Sequence, residues 1–253
     1  MMTYQLHQQD CVEWMRTQPD DSIDVVLTSP PYDNIRKYNG YSFDFESTAK
    51  QIIRLLKPGG VIIWNVADAT VKGSETGTSM RQALYYMSLG LNLHDTMIYL
   101  KRNPMPTNAQ TKRYHQAWEY LFIFSKGTPK TFNPIMVETK FKGTARMKYR
   151  GTDGKIQYKI TPRNDQTKVR NVFEYTIGGG HTTKDKEAFN HPALMPEQLA
   201  LDMLSTWANK DDLIYDPFAG AGTTLLAARE LGLASIGTEI DPDYCQFIHQ
   251  RLK

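Results

Sequence analysis

Cysteine is nearly absent from this chain. Cys11 and Cys245 are the only two in 253 residues, too few for a disulfide framework or a cysteine-based zinc cluster, and cysteine usage of this kind suits an intracellular setting. Long apolar runs are absent too, since none approaches the length needed to span a bilayer. The start, Met1-Met2-Thr3-Tyr4-Gln5, has no basic-then-apolar targeting pattern, so the expectation is a soluble, cytoplasmic protein. Net charge is small, +3, which by itself is no argument for a nucleic-acid partner. The length suits one sizeable α/β core over residues 1–253, with room for an inserted segment but hardly for two independent domains.

What charge there is stands in one place. Ten basic residues lie between Lys140 and Arg170, among them Lys142, Arg146, Lys148 and Arg150, against only Asp153 and Asp165. The rest of the chain is therefore net acidic, and the positive field is concentrated. From 128 to 190 apolar periodicity fades, while Phe141, Tyr149 and Tyr158 interleave with the cations. That composition suits phosphate neutralisation with base contact, which makes 128–190 a target-recognition insert; a basic disordered loop is the competing reading.

Two breaks at strand ends carry the chemistry. Val25-Val26-Leu27 reads as a buried parallel strand that runs through Thr28 into Ser29-Pro30-Pro31-Tyr32, where two prolines fix the backbone and remove two amide donors. In open α/β sheets, ligands bind beyond the carboxyl ends of strands, where these residues would stand. The second break is Leu213-Ile214-Tyr215-Asp216-Pro217-Phe218-Ala219-Gly220-Ala221-Gly222-Thr223-Thr224. Its glycines allow a tight turn and close approach of a bulky ligand before a helix begins. Some twenty residues on, Glu239 ends the run Ala234-Ser235-Ile236-Gly237-Thr238, where an acid can accept hydrogen bonds from ribose hydroxyls.

At these residues the chain resembles the DNA amino-methyltransferases, which move a methyl group from S-adenosylmethionine to an exocyclic base nitrogen. Ser29-Pro30-Pro31-Tyr32 is similar to their catalytic motif, and Asp216-Pro217-Phe218-Ala219-Gly220 to their cofactor motif. Catalytic motif first and cofactor motif last is similar to the family's beta arrangement. The resemblance implies an α/β, circularly permuted Rossmann-like methyltransferase fold with a basic insert. Residues 4–7 would then supply the strand that completes the cofactor half-sheet from the other terminus. It also implies cofactor contacts by Asp10 and Cys11, by His191 and Pro192 at the methionine end, by Asp216, Phe218, Ala219, Gly220, Gly222, Thr223 and Thr224, and by Glu239. For Asp10 a helix cap is a compatible role, and the His-Pro segment also fits an ordinary proline-started helix cap.

The remaining chain reads as helices and strands in alternation. Helices are expected through Val12, Met15 and Arg16, from Asp44 to Leu56, Met80 to Leu89, Glu197 to Ala208 and Asp241 to Leu252. Strands are expected over 4–7, 61–66, 95–100 and 119–124. Lys57-Pro58-Gly59-Gly60 reads as a helix stop, and Lys72 to Ser79 as a glycine-bearing surface loop. Two basic loops, with Arg36 and Lys37 in one and Lys101, Arg102, Lys112 and Arg113 in the other, are candidates for contact with the DNA backbone. His115 has no second His or Cys at ligand spacing, and no metal is expected. Ser before Pro-Pro-Tyr resembles the cytosine-N4 branch, while the adenine-N6 branch usually carries Asp or Asn there. The substrate expected is double-stranded DNA, and the resemblance allows a homodimer and a cognate restriction endonuclease. A catalytically silent DNA-binding subunit would be expected to lose one of the three motifs, and all are present; RNA methylation is the other alternative.

Overall fold

In the computed structural model, described for residues 4–31, 43–108, 110–140, 142–185, 188 and 194–253, the chain forms two compact units. One comprises 1–133 with 171–253, the other 134–170. The larger is built on an eight-stranded sheet. Its strands are β1 (Tyr4–Gln8), β2 (Ile23–Thr28), β3 (Leu56–Val66), β6 (Asn92–Lys101), β7 (Trp118–Ser125), β12 (Val172–Tyr175), β13 (Leu213–Asp216) and β14 (Ala234–Glu239). Their spatial order is β1-β14-β13-β2-β3-β7-β6-β12. The first five run parallel, β7 is antiparallel to both neighbours, and β12 lies parallel to β6.

The central strands are buried on both faces, and their alternate residues feed separate cores. Val26, Ile62, Trp64 and Tyr215 pack on one side with Trp14 and Met15 of α1 (Cys11–Arg16), Ile52 and Leu55 of α2 (Phe45–Leu55), and Tyr86 of α3 (Thr78–Ser88). On the other side Val25, Leu27, Ile63 and Ile214 meet Leu199, Met203 and Trp207 of α4 (Glu197–Trp207) and Ala227 and Ala228 of α5 (Thr223–Leu231). Ile248 and Leu252, at the end of α6 (Pro242–Arg251) and just past it, close a smaller cluster with Leu225 and Leu6.

The expected pairing of the chain's two ends is present, with Tyr4 to Gln8 opposite Ser235 to Glu239 in register. This is the permuted Rossmann-like arrangement. The helix does stop before Lys57-Pro58-Gly59-Gly60, but a strand rather than a loop follows at once, because Leu56 pairs with Ile23 and the register then shifts. Gly60 is required there, since a Cβ would lie 2.8 Å from the Asp24 carbonyl oxygen. The stretch from Lys72 to Ser79 opens inside a short hairpin of β4 (Thr70–Val71) and β5 (Ser74–Glu75), then starts α3.

The smaller unit spans less than 128–190, because 128–133 and β12 belong to the larger unit, where β12 pairs with β6. It contains β8 (Met136–Glu138), β9 (Thr144–Arg150), β10 (Ile156–Pro162) and β11 (Gln166–Lys168). The pairs β8–β11 and β9–β10 are nested antiparallel stretches, joined by hydrogen bonds from the Thr139 amide to the Asp165 carbonyl and from the Arg163 amide to the Gly143 carbonyl. The described residues of 134–170 therefore read as a two-stranded ribbon, not as a structureless basic loop. Among the described residues no helix is long and apolar enough to cross a membrane.

Candidate active site

The carboxyl ends of β13, β2 and β14 open onto one cavity of about 1050 Å³, part of it open to solvent. The Asp216-to-Ala221 loop forms its floor, Gln9, Asp10 and Cys11 one wall, and Ser29 with Pro31 another. Sequence-distant motifs thus meet at the point where the chain leaves the sheet in opposite directions from neighbouring parallel strands. Pro30 is buried beside them. Tyr32, Arg36, Lys37, His191 and Pro192 lie outside the described residues.

Each acid is held by neutral donors. Glu239 accepts from the Gly220 amide at 2.8 Å and the Asp241 amide at 2.9 Å. Burial raises its carboxyl above the ordinary value despite those bonds. Asp216 accepts from the Thr28 hydroxyl at 2.7 Å and the Phe218 amide at 3.0 Å, and burial raises it likewise. The Thr28 bond ties the last residue of β2, just before Ser29, to the cofactor-type loop. Asp10 caps α1 through Oδ1, accepting from Val12 and Glu13 at 2.9 and 3.0 Å. The cap and the cavity wall are therefore one residue's work.

Gly222, Thr223 and Thr224 begin α5. Gly222 does not line the cavity; it sets the turn, with φ +75° and Ile248 3.0 Å from where a Cβ would sit. Thr224 donates to the Leu27 carbonyl at 3.2 Å, a second tie between the loop and β2. The Cys11 thiol is pushed up to about 12 by burial, so it stays protonated near neutral pH and acts as wall, not nucleophile. Among the described residues no cluster suits a metal ion.

Several cavity residues escaped the reading of the sequence. Phe43 meets Phe218 edge-on at 5.1 Å, and Met195, Asp241 and Tyr244 complete the rim. Asp241-Pro242 had a signal, an N-cap followed by proline at the first helical position. Phe43 had none. Arg251, whose side chain is only 3% exposed, was missed as well. Its guanidinium donates to the Ala221 carbonyl at 2.6 Å and to Thr183 and Glu197 at 3.1 and 2.5 Å. It thereby fastens the cofactor-type loop to the start of α4.

The basic candidates in this unit differ. Lys101 is a poor phosphate contact, because its ammonium is paired at 2.5 Å with Glu119 and only 19% of the side chain is exposed. Arg102 pairs with Glu174 and Arg113 with Glu75, each at 3.2 Å on the surface. Lys112 is exposed. In the separate ribbon unit, Lys142, Arg146, Lys148 and Arg150 are all exposed.

The profile of the N6/N4 methylases, described as DNA methylase, matches residues 23–250. The orphan methyltransferase M.BamHII of Bacillus amyloliquefaciens is 47% identical over 241 residues, which cover 92% of this chain and 90% of that protein. The type II methyltransferase M.BglII of Bacillus subtilis is 27% identical over 256 residues, covering 96% and 67%. Among solved structures, the cytosine-N4-specific PvuII DNA methyltransferase aligns with a TM-score of 0.71 at 19% identity, over 100% of this chain and 89% of that one. The M1.HpyAVI–SAM complex aligns with a TM-score of 0.67 at 23% identity, over 98% and 100%. These two structures bear on the fold alone. The chain belongs to the N6/N4 DNA methylase family, and is an S-adenosylmethionine-dependent amino-methyltransferase of DNA.

Proposed function

We propose that this enzyme methylates N4 of cytosine in double-stranded DNA, on a base turned out of the duplex, by direct in-line transfer. The observation that carries the reading is the meeting of Ser29 and Pro31 with the glycine loop in one cavity, with serine before Pro-Pro-Tyr.

The cavity fits the cofactor. Glu239 is an acid held by two backbone amides and by no cation among the described residues, which leaves acceptor capacity for ribose hydroxyls. Asp10 has its second oxygen for the adenine amine, and Phe218 with Ala219 and Gly220 offers an apolar, close-approach surface. Thr223 and Thr224 open α5 against the same space. His191 and Pro192 are assigned to the methionine end by motif. S-adenosylmethionine, when bound there, supplies an electrophilic methyl group.

An exocyclic base amine is a weak nucleophile because its lone pair is delocalised into the ring. The Ser29 hydroxyl and the Pro30 carbonyl accept its two N–H bonds, which favours a more pyramidal nitrogen as attack proceeds. Pro31 fixes the turn, and Tyr32 stacks on the extruded base. No side chain needs to form a covalent bond, and much of the rate comes from orientation. Arg36, Lys37 and Lys112 hold phosphates, with the ribbon supplying further cationic contacts. The similarity to a relative named an orphan methyltransferase favours an enzyme working without a cognate endonuclease.

The test is to incubate the protein with S-adenosylmethionine and unmethylated genomic DNA, digest to nucleosides and identify the product by mass spectrometry. N4-methylcytosine is expected. N6-methyladenine would keep the family chemistry and overturn the assignment of the base to Ser29.

A further inference from the structure

The ribbon of β9 and β10 has two unlike faces. Directly opposed residues of an antiparallel pair share a face, so Arg146 stands with Ile160, Lys148 with Tyr158 and Arg150 with Ile156. The reverse face carries Met147 with Lys159, and Tyr149 with Gln157. Every β9 side chain on the first face from residue 146 onward is thus a cation, and the second face has one. Unit 134–170 holds ten Lys or Arg and three acids, a net +7 in a chain whose total is +3.

Such a ribbon does not complete itself. Two strands without a third layer are marginal in water, yet Tyr158 is 53% and Ile160 69% exposed on the cationic face. Cations flanked by exposed aromatic and aliphatic groups suit a polyanion that also offers base edges and methyl groups. The major groove of B-DNA is wide enough to admit a two-stranded ribbon. One cation on this face differs from the others: the Arg146 guanidinium lies over the Tyr158 ring at 3.9 Å from its centroid. Stacking restricts that planar fork before any ligand arrives, which is what bidentate recognition of a base edge requires. Lys148 and Arg150 make no ion pair among the described residues and extend into solvent.

Resting on the DNA-methylating activity above, we propose that the β9–β10 ribbon docks in the major groove of duplex DNA by its Arg146, Lys148 and Arg150 face. Arg146, steadied by Tyr158, reads a base edge, and Lys148 and Arg150 hold phosphates. The reverse face, with Lys159, points away from the DNA.

The experiment compares the wild type with Arg146→Lys, Lys148→Ala/Arg150→Ala and Lys159→Ala, each shown to melt as the wild type does. Binding to duplex fragments of methylase-deficient genomic DNA is followed by fluorescence anisotropy across a salt series, and methylated sites are mapped by sequencing. The double variant should lose about tenfold or more in affinity at moderate salt, and its salt slope should fall by about two. Lys159→Ala should match the wild type. Arg146→Lys, which keeps the charge without the planar fork, should keep the salt slope and spread methylation to sites differing at one position of the wild-type motif. Loss by Lys159→Ala equal to that of the double variant, an unchanged motif in Arg146→Lys, or equal displacement of the duplex by an RNA hairpin would each overturn the proposal. The identity of the methylated nucleoside, read in the same samples, judges the cytosine assignment separately, because the motif and the salt slope do not depend on it.

Discussion

The two ends of the central sheet treat buried acids in opposite ways. At the amino end of β2 and β13, Asp24 is 2% exposed by side chain and paired with Lys57 at 2.7 Å and Lys130 at 2.5 Å, while Lys130 also holds Asp212 at 2.7 Å. Burial alone would raise the Asp24 carboxyl, but the Leu213 amide and the two lysines outweigh it, and the group is held below the ordinary carboxylate range. At the carboxyl end, Asp216 and Glu239 have only hydroxyls and amides as partners among the described residues, and burial leaves both raised. The first arrangement is closed, with each charge answered inside the protein. The second is incomplete in a way that a ligand rich in hydroxyls and amines can complete, and perturbed acids in a cleft mark functional sites for that reason.

Substitutions at either end of the sheet should separate stability from catalysis. The largest expected effect is on stability: Asp24→Ala strands Lys57 and the Leu213 amide and leaves Lys130 with Asp212 alone, and should cost about 3 kcal/mol in urea unfolding. S-adenosylmethionine affinity of the folded protein should be unchanged. Ser29→Ala should do the reverse, lowering kcat about a hundredfold, roughly 2.7 kcal/mol, with the unfolding midpoint and the cofactor Kd kept. Parallel loss of turnover and cofactor binding would undo the role given to Ser29.

Glu239→Gln comes next, with cofactor affinity down about tenfold by calorimetry, or roughly 1.4 kcal/mol. Its pH dependence sharpens the contrast. A raised folded value means that the stability Glu239 contributes is present below the unfolded carboxylate pKa and lost as pH rises through the folded one. Cofactor binding to the ionised acid moves the other way, weakening as pH falls through that same range. Asp24, held low, contributes stability above the unfolded pKa that disappears only as pH falls through its lowered value. Asp24→Ala should therefore flatten the acid limb of a melting-temperature profile, and Glu239→Gln the limb above it. The smallest effect is expected from Thr28→Val, which removes a donor from buried Asp216 and should cost about 1 kcal/mol. That loss should grow from acid to alkaline pH, because the ionised carboxyl needs the bond more.

Much of the fold was legible residue by residue. Val25-Val26-Leu27 announced a strand buried on both sides by being apolar without alternation. Asp44 and Asp241 marked helix starts that the structure confirms by side-chain caps at Ser47 and at Asp243. Asp10 and Glu239 were legible as acids at strand ends, and both line the cavity. Lys101 illustrates the opposite case. A lysine beside an arginine in a proline-broken loop reads as solvated, and only the neighbouring strand shows that Glu119 has captured it. Arg251 reads as an ordinary basic residue at a helix end, while its hydrogen-bond partners lie 28 to 68 positions away.

The sequence alone determined where strands break and which residue types stand at the breaks, because turn chemistry and apolar period are properties of neighbours along the chain. It also determined that the net positive charge is concentrated in one segment. The family resemblance implied that β1 would lie beside β14, more than two hundred residues away, and only the tertiary structure decided that Phe43 joins Ser29, Asp10 and Glu239 in one cavity. Only the structure, too, decided which of the ten cations of the insert share a face of the ribbon. Those outcomes depend on the packing of two cores against a single sheet and on the register of paired strands, and a one-residue slip would send every side chain of a strand to the other face.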